Sequence, residues 1–144
     1  MHYTSVVFTF EVFSIKVIAG DSGYLSVVEF QDLLEHYDFK AKRIYWLHGV
    51  ESNVTRGGHS HKKLRQLFIP IKGGCEIEFD DGKVKKTEVL IEGKNSIFIE
   101  PGLWRELKNF KPNSILLVLA DEVFDENDYI RDYKKFLELK NYES

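Results

Sequence analysis

Asp80-Asp81-Gly82-Lys83 stands between two alternating apolar runs, Cys75 to Phe79 and Val84 to Leu90. Asp-Gly in that setting favours a tight turn, because glycine takes positive φ without strain, and the two runs predict an antiparallel hairpin. The rest of the chain repeats this signal. Phe8, Phe10 and Val12 alternate with Thr9 and Glu11, and Phe13, Ile15 and Val17 continue after a slip. Gly20-Asp21-Ser22-Gly23 reads as a turn. Tyr24 to Phe30, Lys42 to Val50, the stretch from His59 through Ile71, Ser96 to Ile99, Arg105 to Phe110 and Ile115 to Ala120 read as further strands. Gln31 to Asp38 is a polar connector with one helical turn, and Glu51 to Gly58 is a loop holding Arg56. Short strands at this spacing, with turn signals between them, predict an all-β sandwich or barrel. Only the end looks helical. Asp125 as a cap, with Tyr129, Tyr133, Phe136 and Leu137 as one apolar stripe, predicts a helix over 125–140.

A chain of 144 residues is one domain's worth, so residues 1–144 are read as a single unit, with 1–18 as its N-terminal strand region. At 43% hydrophobic it can bury a core. The net charge of −3 supplies no basic field, and no nucleic-acid partner is expected. No apolar run approaches a membrane span, so no membrane partner is expected either. The single Cys75 excludes an intramolecular disulfide and suits a reducing compartment. The first residues lack the positive charge of a signal peptide, and the expected location is the cytoplasm.

The chemistry concentrates in Arg56-Gly57-Gly58-His59-Ser60-His61-Lys62-Lys63-Leu64-Arg65-Gln66. The chain has five histidines, and two of them lie here, two positions apart. On a strand that spacing puts both rings on one face. Such a pair can bind a metal, move protons, or fill space with satisfied hydrogen bonds. On the strand before it, Arg43, Tyr45 and Leu47 share one face and Ile44, Trp46 and His48 the other.

The spacing resembles the cupins, small double-sheet (jelly-roll) β-barrels. Their first motif is HxH, then Glu, then Gly, and here His59 and His61 are followed by Gln66 and Gly73. Their second motif is Pro, His, Asn, and here Pro101 is followed by Arg105 and Asn109. Metal-binding cupins carry three His and a Glu. This chain offers His59 and His61, while Gln66 is a weak neutral ligand and Arg105 a cation that repels a metal. The pair is therefore read as acid/base groups, and no metal is expected.

Lys42-Arg43-Ile44-Tyr45, the segment Arg56 to Leu64, Asp80-Asp81-Gly82, Val118-Leu119-Ala120-Asp121 and Phe124 to Tyr133 narrow the likeness. They resemble the sugar-nucleotide 3,4-ketoisomerases, the WxcM-like group, over about Gly20 to Phe136. The resemblance implies a cupin barrel with a short C-terminal helix. It implies a homodimer that exchanges N-terminal strands, and a reaction that moves the ketone of dTDP-4-keto-6-deoxy-D-glucose from C4 to C3. The product would feed 3-amino-3,6-dideoxyhexose synthesis for surface polysaccharide such as lipopolysaccharide. His61 matches the family's base and His59 its neighbour. Two adjacent imidazoles disfavour double protonation, which suits one base and one donor. Arg105, Tyr45 or Arg56 can serve the enediolate oxygen. Arg43, Arg56 and Lys62 suit the diphosphate, and Gln66 and Trp104 complete the expected substrate-facing set.

Each residue also has a plainer role. Tyr45 can be core, Arg43 and Arg56 rim charges, Lys62 a solvated strand end and Trp104 packing. The family's slot before the first-turn glycine holds Ser22 here, and the slot after the motif Trp holds Arg105. On that basis the gluco product is expected. Three other readings stay open: a dTDP-4-keto sugar epimerase, a metal-dependent cupin, and an inactive sugar-nucleotide binding module.

Overall fold

The computed structural model describes residues 9–143, with side chains given to Asn141. The predicted strand at Phe8 lies outside the described residues. In chain order come β1 (Phe10–Phe13), β2 (Lys16–Gly20), β3 (Gly23–Val27), α1 (Phe30–Tyr37), β4 (Arg43–His48) and β5 (Arg56–His61). They are followed by β6 (Gln66–Lys72), β7 (Gly74–Asp80), β8 (Lys85–Ile91), β9 (Ser96–Ile99), β10 (Trp104–Lys108), β11 (Ile115–Ala120), β12 (Tyr129–Ile130) and α2 (Tyr133–Glu143).

Two five-stranded antiparallel sheets form the barrel, in the orders β1-β9-β6-β11-β4 and β12-β5-β10-β7-β8. Alternate residues of both sheets meet between them, where Phe68, Ile77, Phe79, Ile97, Ile99, Leu107, Leu116 and Val118 are buried. The predicted hairpin is β7–β8, with Asp80 opposite Lys85. Asp81 Oδ1 accepts from the Lys83 and Val84 amides and Gly82 takes φ 97°, so the turn satisfies its own backbone. Pro70 sits inside β6, yet β9 pairs with β6 only through Phe68, so the missing proline N–H interrupts no ladder on that side.

Four expectations change. Arg56, expected in a loop, opens β5, and the stretch from His59 through Ile71 is divided between β5 and β6. The connector at 31–38 is a helix of eight residues, α1, because Leu33 seals the outer face of the first sheet with Phe39, Leu67, Ile69 and Phe98. The helix expected over 125–140 begins only at Tyr133. Before it lie a 3-10 turn at Glu126–Asp128, capped by Asp125, and the short β12. Tyr129 and Ile130 pair with His61 and Ser60, so this segment extends the edge of a sheet and does not coil. Asp132 then accepts from the Lys134 and Lys135 amides and starts α2.

Candidate active site

β5 and β10 lie side by side, with His59 opposite Arg105. Register slips by one residue just beyond that pair. Gly57 makes the slip possible: it takes φ 89°, and a Cβ there would sit 2.8 Å from the Arg105 carbonyl oxygen. Beside this ladder opens a cavity of about 360 Å³. Its wall includes Arg43, Tyr45 and Leu47 from β4, Arg56 and His59 from β5, Arg105 from β10, and Tyr129 and Arg131 from the tail. The alternation read on β4 is correct, since Arg43, Tyr45 and Leu47 all face this space.

Arg105 is buried at 1% exposure. Its Nη1 donates to Gln66 Oε1 at 2.6 Å and its Nε to the Leu103 carbonyl at 3.2 Å. Burial lowers its pKa to about 10, which leaves it a cation at neutral pH. Gln66 then turns its amide to Tyr45, donating from Nε2 to the hydroxyl at 2.8 Å. Since that hydroxyl is accepting, its own proton is free for another acceptor. Burial holds the Tyr45 pKa above its ordinary value, so the phenol stays protonated. Gln66 thus orients two cavity groups and does not itself line the space.

The two imidazoles are stacked edge to face with centroids 4.8 Å apart. His59 is on the cavity wall, while His61 lies behind it with its side chain fully buried. Burial and then the Arg105 charge lower the His59 pKa to about 4. Burial, Arg105 and His59 also push His61 down from its ordinary value. Both rings are neutral at physiological pH, so each keeps one lone pair to accept a proton. Nδ1 of His59 and Nε2 of His61 are buried without hydrogen-bond partners.

Besides Gln66, two expected site residues fall elsewhere. Trp104 is buried, its indole N–H donates to Glu106 Oε2 at 3.1 Å, and its ring packs on Tyr133 and Phe136. It anchors α2 and does not reach the cavity. Lys62 is exposed, and its backbone N–H, not its amine, is tied down, to the Asp128 carbonyl. Conversely, Asp128, Tyr129 and Arg131 were missed. Asp128 bonds His61, Tyr129 packs on both imidazoles, and Arg131 lies 4.1 Å over the Tyr129 ring. Their signal was the Asp-Tyr-Ile-Arg run, hidden when read with helical periodicity.

Among the described residues, no group of three or more His, Cys, Asp or Glu side chains is placed to hold a metal ion. Gln66 and Arg105 occupy the third and fourth motif positions, bonded to each other.

The WxcM-like, C-terminal family (FdtA) matches residues 9–141. The chain belongs to this family. A curated relative, the TDP-4-oxo-6-deoxy-α-D-glucose-3,4-oxoisomerase of Aneurinibacillus thermoaerophilus, is 31% identical over 126 residues, 88% of each chain. A solved 3,4-ketoisomerase from Helicobacter canadensis is 35% identical with a TM-score of 0.86, covering 94% of this chain and 99% of its own. The 3,4-ketoisomerase QdtA of Thermoanaerobacterium thermosaccharolyticum, solved as a His-to-Asn variant with TDP-4-keto-6-deoxyglucose, is 32% identical with a TM-score of 0.87. The two chains match over 95% and 97% of their lengths. The cupin-type double-sheet fold is that of these relatives, and the chain is an isomerase of their type.

Proposed function

We propose that this chain converts dTDP-4-keto-6-deoxy-D-glucose to the dTDP-3-keto isomer, without a metal or organic cofactor. The observation that carries the reading is a neutral, cavity-wall imidazole, His59, set directly opposite a buried cation, Arg105. The C3 proton of a 4-keto sugar is acidic because the carbanion delocalises onto the ketone. His59 takes that proton, and the negative charge moves onto the C4 oxygen as an enediolate. Arg105 and the free Tyr45 hydroxyl proton stabilise this oxygen. A proton then arrives at C4, the hydroxyl proton leaves O3, and O4 gains one. The ketone now lies at C3 and the atoms balance. The resemblance puts the base at His61; the cavity wall favours His59, with His61 supporting it. Arg43 and Arg56 suit the diphosphate, because guanidinium forks match its oxygens, while the Arg131 fork is held by the Glu126 carboxylate.

The gluco configuration at C4 is part of the proposal, on the strength of Arg105 in place of a histidine. In the substrate the C3 hydrogen lies on the α face, and return on that same face would give the galacto sugar. Delivery on the opposite face gives the gluco sugar. A histidine in the Arg105 slot would be a competing proton shuttle; Arg105, a cation at neutral pH, does not deliver the proton itself but holds a water on the opposite face or turns the sugar so that this face meets a histidine. Transamination of the product and NMR of the amino sugar test this: a large H3–H4 coupling is expected, and a small one contradicts the gluco assignment.

The chain is further proposed to work in the cytoplasm as a homodimer with exchanged N-terminal strands. The β2–β3 hairpin supports the dimer, since Ile18, Tyr24 and Leu25 stand 48%, 82% and 59% exposed on it. Turnover of the keto sugar by pure protein, assayed with and without EDTA, tests the function. Equal rates are expected, and activity that requires an added divalent metal rejects the reading.

A further inference from the structure

The tail reaches the site through one carboxylate. Asp128 Oδ2 lies 3.0 Å from Nδ1 of His61, with the two side chains 7% and 0% exposed. The same carboxylate accepts the Lys63 amide at 2.8 Å and the Leu64 amide at 3.3 Å. A carboxylate accepts and does not donate, so a hydrogen bond to Nδ1 requires the imidazole proton on that nitrogen. Nε2 of His61 is then the lone-pair nitrogen, and it is buried without a partner.

We propose that Asp128 is a positioning residue that holds His61 as the Nδ1–H tautomer and so keeps Nε2 a proton acceptor beside His59. The inference rests on the ketoisomerase reading for its purpose, not for its geometry. Besides Asp128, the groups around His61 are His59, Tyr129, Arg105, Arg43 and Arg131. The three arginines have no acceptor to offer Nδ1–H, and the Asp128 bond is what orients the ring. The two amides that Asp128 also accepts fix the carboxylate in turn. They lie just past the end of β5, so the tail and the histidine strand are locked in one register. The isomerisation needs two proton shifts, from C3 to C4 and from O3 to O4. A histidine with the wrong tautomer would put N–H where an acceptor is needed.

The test is the pair of ring 15N resonances of His61 in the full-length protein, assigned with His61→Asn and followed alongside turnover. Wild type is expected to show protonated Nδ1 and bare Nε2 at neutral pH. Asp128→Asn can offer its amide N–H to Nδ1, so the tautomer should invert and kcat fall by about 10- to 100-fold, with KM little changed. Asp128→Glu should restore the Nδ1–H tautomer and part of kcat. A wild-type spectrum with protonated Nε2 overturns the proposal whether or not the variants fold. Unchanged kcat and tautomer in Asp128→Asn overturn it too. A wild type that shows Nδ1–H but turns over no keto sugar rejects the functional reading alone.

Discussion

Arg105 acts on His59 across the β5–β10 ladder. Burial first and the cation second lower the imidazole pKa to about 4. The base form is therefore present above that value and is lost as pH falls through it. The kcat/KM profile should stay flat from neutral pH to about 5 and drop below it, where an unshifted histidine would give a midpoint near 6.5. An acid limb centred at 6.5 would contradict the burial argument. His59→Asn should lose about 10²–10⁴-fold in kcat while still binding dTDP. His61→Asn should lose less; the opposite ranking returns the base to His61. The pair itself was legible in the sequence, because period-two spacing puts both rings on one face. Which ring faces the cavity was not, since that depends on Tyr129 and Asp128, contributed from a distant segment.

At the scale of elements, the tail explains the largest departure from the sequence reading. Asp125 does cap, but it caps one 3-10 turn, and the chain then adds a strand to β5 before α2 begins. Helical periodicity placed Tyr129 in line with Tyr133 and Phe136 because those two do share a helix face. Nothing local reveals that an open strand edge is waiting for Tyr129. α2 is held instead through Trp104, which packs on Tyr133 and Phe136. Trp104→Ala should cost about 3–5 kcal/mol in urea unfolding and leave the KM for the keto sugar nearly unchanged. A raised KM with unchanged stability would put Trp104 in the binding site after all. The strands between were easier to read. β4, β7, β8, β9 and β11 each show alternation or a short apolar run bounded by turn residues, and each appears within a residue or two of its expected place.

Among the described residues the β2–β3 hairpin pairs only with itself, and it exposes the apolar side chains of Ile18, Tyr24 and Leu25. A second copy of the chain would cover that surface and the strand edges beside it. Sedimentation should give a dimer, and removal of residues 1–18 should abolish it or lower solubility. A stable, active monomer would contradict strand exchange. The role proposed for His59 and Arg105 is to move the ketone of a 4-keto sugar from C4 to C3. The most direct measurement is incubation of the pure protein with dTDP-4-keto-6-deoxyglucose in D2O, followed by NMR. The expected result is a 3-ketone with a solvent-exchangeable hydrogen newly bonded at C4. A product that keeps its ketone at C4, with deuterium at C3 or C5, would show an epimerase and contradict it.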